Sequence, residues 1–180
     1  MDPGESDLDR AMRELRIEHR LEQEDLEEAV ELAERAGRTL SEVALEFLYR
    51  GDSIRVRVGE RTWNGLVVHV GTGVMTLRTQ AGAEVDVDYK GLTSMRVIER
   101  ARLGGRPRVS RHPGELVARL RELANTEEKV ELGGRRLEAV AGIVQVVARS
   151  HVEFTTSDGG AWILPLGEID YLIRSSEASP

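Results

Sequence analysis

The same pattern of apolar alternation, turns and glycines occurs twice in this chain, and an internal repeat constrains a fold more than any single motif does. Residues 56–68 align with residues 130–142 at an offset of 74, which pairs Gly59 with Gly133, Arg61 with Arg135 and Leu66 with Val140. Further along, the offset is 77, and the aligned pairs are Leu77 with Phe154, Gly82 with Gly159, Val85 with Trp162 and Leu92 with Ile169. The repeat predicts two small domains of one fold, each marginal alone and therefore packed against a neighbour or a helix.

Both copies have the period-2 alternation of half-buried β-strands, such as Ile54, Val56 and Val58 between polar residues. The expected strands are 53–58, 62–70, 74–79, 84–88 and 95–98 in the first copy, and 129–132, 136–148, 151–156, 161–165 and 169–174 in the second. Gly65 lies inside the long second strand, which predicts a bend or bulge there.

Helical periodicity precedes each copy. Leu8, Met12 and Leu15 fall at i, i+4 and i+7 and form a narrow apolar stripe, which we interpret as a protein interface. A capping box at Thr39-Leu40-Ser41-Glu42 begins a short helix that runs up to Gly51. A second short helix is expected over 114–124.

A short helix followed by five strands, with a glycine inside the second strand, resembles the Sm-like proteins. The residues that carry the resemblance are Gly51, Ile54, Val56, Gly59, Gly65 and the pair Tyr89-Lys90, which is similar to a Tyr-Lys pair in the bacterial Sm-like RNA chaperone. It covers residues 39–98 and, more loosely, 114–174. Other five-stranded SH3-like barrels fit the same pattern. The resemblance implies this fold and edge-to-edge or ring-like association.

One family feature is missing. Sm proteins hold uridine with an Asp and an Asn after the second strand, and the nearest residues here are Val70, Gly71 and Val74. The resemblance therefore does not bring the uridine pocket to this chain.

The predicted fold class is mainly β with N-terminal α-helices, comprising two tandem five-stranded Sm/SH3-like barrels. Its expected divisions are an acidic helical segment (1–50), a first barrel (51–98), an Arg-rich linker (99–113), and a helix with the second barrel and a short disordered tail (114–180).

Composition narrows the class of function. The chain has no cysteine, which excludes disulfides and thiolate metal sites. It has no apolar run of membrane-spanning length, so no membrane association and a cytoplasmic location are expected. The four histidines are widely spaced and no catalytic motif is present, so we predict a non-enzyme without cofactor or metal. Asp86 and Asp88 share a strand face and form either a solvated surface or a cation site.

Charge is distributed unevenly along the chain. Residues 1–50 carry a net charge of −8, residues 51–112 of +5 and residues 113–180 of −4, within the chain's net −7. The predicted nucleic-acid contacts are ten of the eleven basic residues of the middle segment: Arg55, Arg57, Arg78, Lys90, Arg96, Arg100, Arg102, Arg106, Arg108 and Arg111. Arginine suits phosphate because the guanidinium donates in a fork.

These observations predict a non-catalytic nucleic-acid-binding regulator, with RNA favoured over DNA by the resemblance. The alternative is a protein-interaction or assembly module, a homo-oligomer that acts through strand edges or the N-terminal helices. The linker arginines have a second interpretation, in which they pack against the acidic helices or against the acidic second barrel. Trp63 and Trp162 align with aliphatic residues in the other copy, which favours core positions over base-stacking platforms.

Overall fold

A computed structural model describes residues 7–101 and 114–174, and the side chains of only part of the first helix. The chain divides into two compact units, residues 1–39 and 40–180. The first unit contains helix α1 (Asp7–Ala36). Of the predicted interface stripe, Met12 is 47% exposed, whereas the side chains of Leu8 and Leu15 lie outside the described residues. In the described part of the chain, every helix is too short or too polar to cross a bilayer.

The described residues of the second unit form two α-helices and ten strands. The helices are α2 (Leu40–Arg50) and α3 (Leu116–Thr126). The strands are β1 (Ser53–Val58), β2 (Arg61–Val70), β3 (Val74–Thr79), β4 (Glu84–Asp88), β5 (Ser94–Glu99), β6 (Lys129–Gly133), β7 (Val140–Val147), β8 (His151–Thr156), β9 (Ala161–Pro165) and β10 (Tyr171–Arg174). A short 3₁₀ helix, Leu166–Glu168, lies between β9 and β10. The expected strands all occur, with ends shifted most at β7 and β10.

All ten strands belong to one antiparallel sheet in the order β5-β1-β2-β3-β4-β10-β6-β7-β8-β9. The predicted mainly β class with N-terminal helices is therefore confirmed. The sheet does not close, because within the described residues no pairing joins the end strands β5 and β9. The structure thus shows one continuous sheet and does not show two tandem barrels.

The two halves of this sheet nevertheless share one strand order, since β5-β1-β2-β3-β4 corresponds to β10-β6-β7-β8-β9. Register fixes the equivalent residues: Arg55 faces Asn64 in the first half, and Glu131 faces Ala141 in the second. The offset is therefore 76 between α2–β1 and α3–β6. It is 77 between the strands from β2 to β5 and those from β7 to β10. The sequence offset of 77 is correct, but the offset of 74 is wrong. The second hairpin turn has one extra residue, and Gly133 corresponds to Arg57 rather than to Gly59.

A shared glycine allows the long strand of each half to pass close to its neighbour. A Cβ on Gly65 would overlap the carbonyl oxygen of Arg78, and one on Gly142 would overlap the carbonyl oxygen of Thr155. The register shift itself lies two residues beyond the glycine, after Val67 in β2 and at the equivalent place in β7. The sequence thus located the irregularity to within a few residues, and close backbone approach explains the glycine.

Each half has its own hydrophobic core. Ala44 of α2 packs into the first core, and Leu120 of α3, its equivalent, packs into the second. Strand β10 contributes to both, because successive side chains of a strand point to opposite faces. Tyr171 lies in the first core and Leu172 in the second. The last strand therefore holds the two halves together.

Candidate binding surfaces

Three of the predicted basic residues lie together on strands β1 and β5. Arg55 is directly opposite Arg96, and Arg57 is two residues further along β1 on the same face. The Arg55 Nε donates to Asn64 Oδ1 at 2.9 Å, and the Arg57 Nε donates to the carbonyl oxygen of Gly59 at 2.7 Å. Like charges that face each other across strands repel, so this surface favours an anion or an acidic partner.

The other basic residues are placed differently. Arg78 donates to Glu84 at 2.6 Å, and the second oxygen of Glu84 accepts from Arg174 at 2.5 Å, so the charge of Arg78 is balanced within the sheet. Lys90 lines a cleft together with Asp88 and Glu115. Arg100 is exposed just beyond β5. The remaining predicted contacts lie outside the described residues: Arg102, Arg106, Arg108 and Arg111.

The turn after β2 is filled by the chain that leads into α3. The Gly114 carbonyl oxygen accepts from Gly73 N at 2.8 Å and from Thr72 Oγ1 at 3.3 Å. A Cβ on Gly71 would overlap the Gly114 backbone. The turn after β2 is therefore used for packing between the two halves.

The aromatic residues divide into buried and exposed positions. Trp63 is partly buried and contacts Tyr171 edge-on, with ring centroids 4.7 Å apart. Burial raises the pKa of Tyr171 and also that of Tyr89, whose hydroxyl is buried and has no hydrogen-bond partner among the described residues. Trp162 is 50% exposed, so its assignment to the core is wrong. Its strand, β9, lies at the end of the sheet and pairs with β8 alone among the strands that the structure describes.

The acidic pair of β4 is also placed differently from the expectation of a solvated face. Asp86 is 2% exposed, accepts from Thr76 Oγ1 at 2.5 Å and lies 3.2 Å from the Arg119 Nε. Arg174 approaches the same carboxylate at 3.9 Å. Asp88 instead accepts from the Lys90 backbone N–H at 2.8 Å. Asp86 is thus one member of a buried ion-pair network.

Sequence analysis missed this network, although a signal was present. Arg119 lies on the apolar face of α3, three residues after Leu116 and four before Leu123, both of which are buried. A charged residue on a core-facing stripe needs a buried partner, because an unpaired buried charge is costly. That partner is Asp86, from the other half of the sheet.

Strand β9 presents the most apolar exposed edge of the sheet. Ile163 is 72% exposed and follows Trp162 directly. β9 pairs only with β8, so the peptide groups along its other side have no strand partner within the described residues. β5 is the corresponding end strand on the far side and pairs only with β1.

The described residues thus offer a basic surface on β1 and β5 and an apolar edge on β9. Within them, no three His, Asp or Glu side chains are grouped as metal ligands. Comparison of the whole chain with protein-family models, curated proteins and solved structures gives no match.

Proposed function

We propose that this protein is a non-catalytic assembly module that binds its partner by strand addition at the ends of its sheet. The observation that carries the proposal is the uncovered β9 edge, with Trp162 half exposed and Ile163 mostly exposed. Strand addition uses unpaired backbone groups for affinity and alternate side chains for specificity, and β9 offers both. Its location is the cytoplasm, as expected for a chain without cysteine.

The same proposal includes the finer architecture. Each half is a five-stranded Sm/SH3-like barrel, residues 51–98 and 114–180, joined by the linker 99–113. Support comes from the shared strand order, the separate hydrophobic core of each half and the helix of equal length before each first strand. Because the sheet does not close, its two end strands have edges available for association.

The test is capture of a partner by the tagged full-length chain in cells that also express an untagged copy. We expect a stoichiometric companion, either the untagged copy or a different protein, that is lost with Ile163→Asp. Val146→Asp is the matched control, because Val146 is also exposed but lies on interior strand β7. A companion that survives Ile163→Asp, or no companion at all, refutes the function.

Nucleic-acid binding is the second candidate function, favoured by the facing pair Arg55 and Arg96 with Arg57 beside them. Phosphate contacts by such a surface weaken steeply with salt, and the slope for a single strand falls by about 0.7 for each contact removed. The measurement is fluorescence anisotropy of labelled single-stranded RNA and DNA between about 50 and 200 mM salt.

The informative variant is the triple substitution Arg55→Gln, Arg57→Gln and Arg96→Gln. We expect it to weaken binding and to lower the salt slope by about 2. Arg136→Gln is the control, because Arg136 is exposed but paired with Glu168 in the other half. Unchanged affinity in the triple variant, or binding insensitive to salt, refutes this candidate.

A further inference from the structure

We infer that β9 of one molecule pairs with β5 of a second copy of this chain, in the register that β4 uses with β10. This inference rests on the proposed function and names its partner. Within one chain, β4 pairs antiparallel with β10, and Val87 faces Tyr171. The offset of 77 makes β9 the equivalent of β4 and β5 the equivalent of β10. One chain therefore has the equivalents of both paired strands at the ends of its sheet, with β9 at one end and β5 at the other.

The first line of support is the ion pair that stabilises the internal pairing. Asp86 on β4 lies 3.2 Å from Arg119 on α3, and both side chains are buried. The residue equivalent to Asp86 is Ile163 on β9, and the residue equivalent to Arg119 is Val43 on α2. An ion pair across the internal contact is thus replaced by an apolar pair across the proposed one.

The second ion pair changes in the same way. Glu84 and Arg174 face each other in the internal register, and the Arg174 Nη2 lies 2.5 Å from the Glu84 Oε2. Their equivalents are Ala161 on β9 and Val97 on β5. Four charged residues of the internal contact thus correspond to four apolar residues. Ala161 and Ile163 are exposed, whereas Val43 and Val97 are partly buried. Because the Ile163 side chain is 72% exposed, its apolar surface contributes little to the stability of a single chain.

The opposite face of the two strands is also complementary. Val85 faces Ile173 in the internal pairing, and the equivalent residues are Trp162 and Arg96. A guanidinium over an indole ring is a favourable cation–π arrangement. The exposed tryptophan and the arginine at the other end of the sheet thus become partners. Leu164 and Ser94 take the positions of Val87 and Tyr171.

Pro165 sets the limit of the proposed pairing. In the internal contact, the backbone N–H of Asp88 donates to the Asp170 carbonyl oxygen at 2.9 Å. Pro165 is the equivalent of Asp88 and has no backbone N–H. The proposed contact therefore has one backbone hydrogen bond fewer than the internal contact. Because β9 and β5 are different surfaces, the contact is head-to-tail, and repetition gives a closed ring or an open filament.

The two contacts are not interchangeable. If β9 of a second chain took the place of β4 beside α3, Ile163 would leave Arg119 buried without its partner. If β4 met α2, Asp86 would face Val43 with the same cost. Specificity often depends on such unfavourable mismatches. The charged pair therefore belongs to the internal contact and the apolar pair to the contact between chains.

The test is sedimentation velocity of the purified full-length chain over a range of concentrations, for the wild type and for two variants. Ile163→Asp places a carboxylate on the β9 edge, and Val43→Arg places a guanidinium on the α2 edge. We expect the wild type to associate and each variant alone to associate about a hundredfold more weakly, as an unpaired buried charge requires. Val146→Asp is the control and retains wild-type association.

Mixing the two variants is the decisive step. An equimolar mixture brings the carboxylate of one variant against the guanidinium of the other, in the arrangement that Asp86 and Arg119 have internally. We expect association to return. Failure of the mixture to associate, while both variants unfold as cooperatively as the wild type, overturns the proposed register.

Hydrogen exchange of the wild type provides a measurement that requires no variant. The amides of β9 and β5 become protected as concentration rises, whereas those of interior strand β7 do not change. A wild type that is monomeric at every concentration overturns the inference. If that monomer still captures a different protein through Ile163, the proposed function stands and only the second copy is excluded.

Discussion

Strands β4 and β9 occupy equivalent positions in the two halves of the sheet, but within residues 7–101 and 114–174 only β4 has a neighbour on both sides. β4 pairs with β3 and β10, whereas β9 pairs with β8 alone. Val85 on β4 is fully buried, and its equivalent Trp162 is half exposed. Asp86 is buried in an ion-pair network, and its equivalent Ile163 faces outward. The covered strand carries the charge, and the uncovered strand carries the apolar side chains.

This reversal shows that polarity alone does not reveal which strand of a sheet is covered. A buried carboxylate is stable when hydrogen bonds and a cation compensate its desolvation, as Thr76 and Arg119 do for Asp86. An exposed isoleucine beside a tryptophan has no such compensation and favours association. The halves share a strand order, and their side chains differ between the paired edge of β4 and the end strand β9.

The largest effect is expected from breaking the buried ion pair. Arg119→Ala leaves Asp86 buried without its main cationic partner, and we expect the free energy of unfolding to fall by about 3–5 kcal/mol. The measurement is urea denaturation followed by circular dichroism.

The matching double variant places the apolar residues found at the β9 edge and on α2 into the internal contact. Asp86→Ile combined with Arg119→Val gives the internal contact the pair found at Ile163 and Val43. Replacement of a buried ion pair by apolar residues is often neutral or stabilising, so we expect recovery of most of the loss. A double variant as unstable as Arg119→Ala would show that the apolar pair does not fit this geometry.

The next effect tests what the halves share. Gly65→Ala and Gly142→Ala each force a Cβ into a carbonyl oxygen of the neighbouring strand, and we expect losses of about 1–3 kcal/mol at both sites. Gly167→Ala is the control, since nothing lies within 4 Å of its added Cβ. Thermal unfolding measures all three. A large loss at one site only would mean that the halves do not rely on the same close approach.

A smaller difference separates the covered edge from the uncovered one. Val85→Ala removes fully buried methyl groups and is expected to cost about 1–2 kcal/mol. Trp162→Ala removes a much larger side chain but, in dilute solution, is expected to cost less than about 1 kcal/mol because half of it is exposed. Denaturation at low concentration makes the comparison, and a larger cost at Trp162 contradicts it.

The smallest effect concerns Tyr89, whose equivalent in the second half is Leu166. Tyr89→Phe removes a buried hydroxyl without a described partner, so at neutral pH we expect stability to change by less than about 0.5 kcal/mol. Burial raises the pKa of Tyr89, so the folded state retains a proton that the unfolded state loses above about pH 10. Stability is therefore complete below that pH and falls above it.

The tyrosinate absorbance at 295 nm and denaturation midpoints from pH 9 to 11 measure this effect. We expect Tyr89→Phe to lose less stability at high pH than the wild type. Some pH dependence remains, because burial also raises the pKa of Tyr171. Identical pH profiles for the variant and the wild type would mean that Tyr89 does not contribute.

Local pattern was enough to predict the strands and the repeat. The ends of β3, β4, β8 and β9 were predicted correctly, because clear turn residues separate β3 from β4 and β8 from β9. The offset of 74 is wrong because it pairs Gly133, the last residue of β6, with Gly59 in the turn after β1. In the structure, a Cβ at Gly133 would overlap the Tyr171 hydroxyl, so the glycine provides room for an aromatic ring. That reason is not visible in the local sequence.

Contacts between the halves could not be read from local pattern. The pairing of β4 with β10 joins residues far apart in sequence, and alternation does not identify which edges meet. The grouping of Arg55 and Arg57 on one face follows from the strand period, but the position of Arg96 opposite Arg55 required the register. The predicted site residues on 102–111 lie outside the described residues, and the nucleic-acid prediction stays a prediction.

The shared position of β10 has a consequence for how this protein is made. A ribosome releases the chain from its N-terminus, so the first five strands emerge long before Tyr171–Arg174. Until then, β4 has no neighbour on its outer side, and Asp86 lacks Arg174 and, earlier still, Arg119. The nascent first half therefore has an unpaired β4 edge, the kind of surface that misassembles and binds chaperones. Translation speed through the second half determines how long that interval lasts.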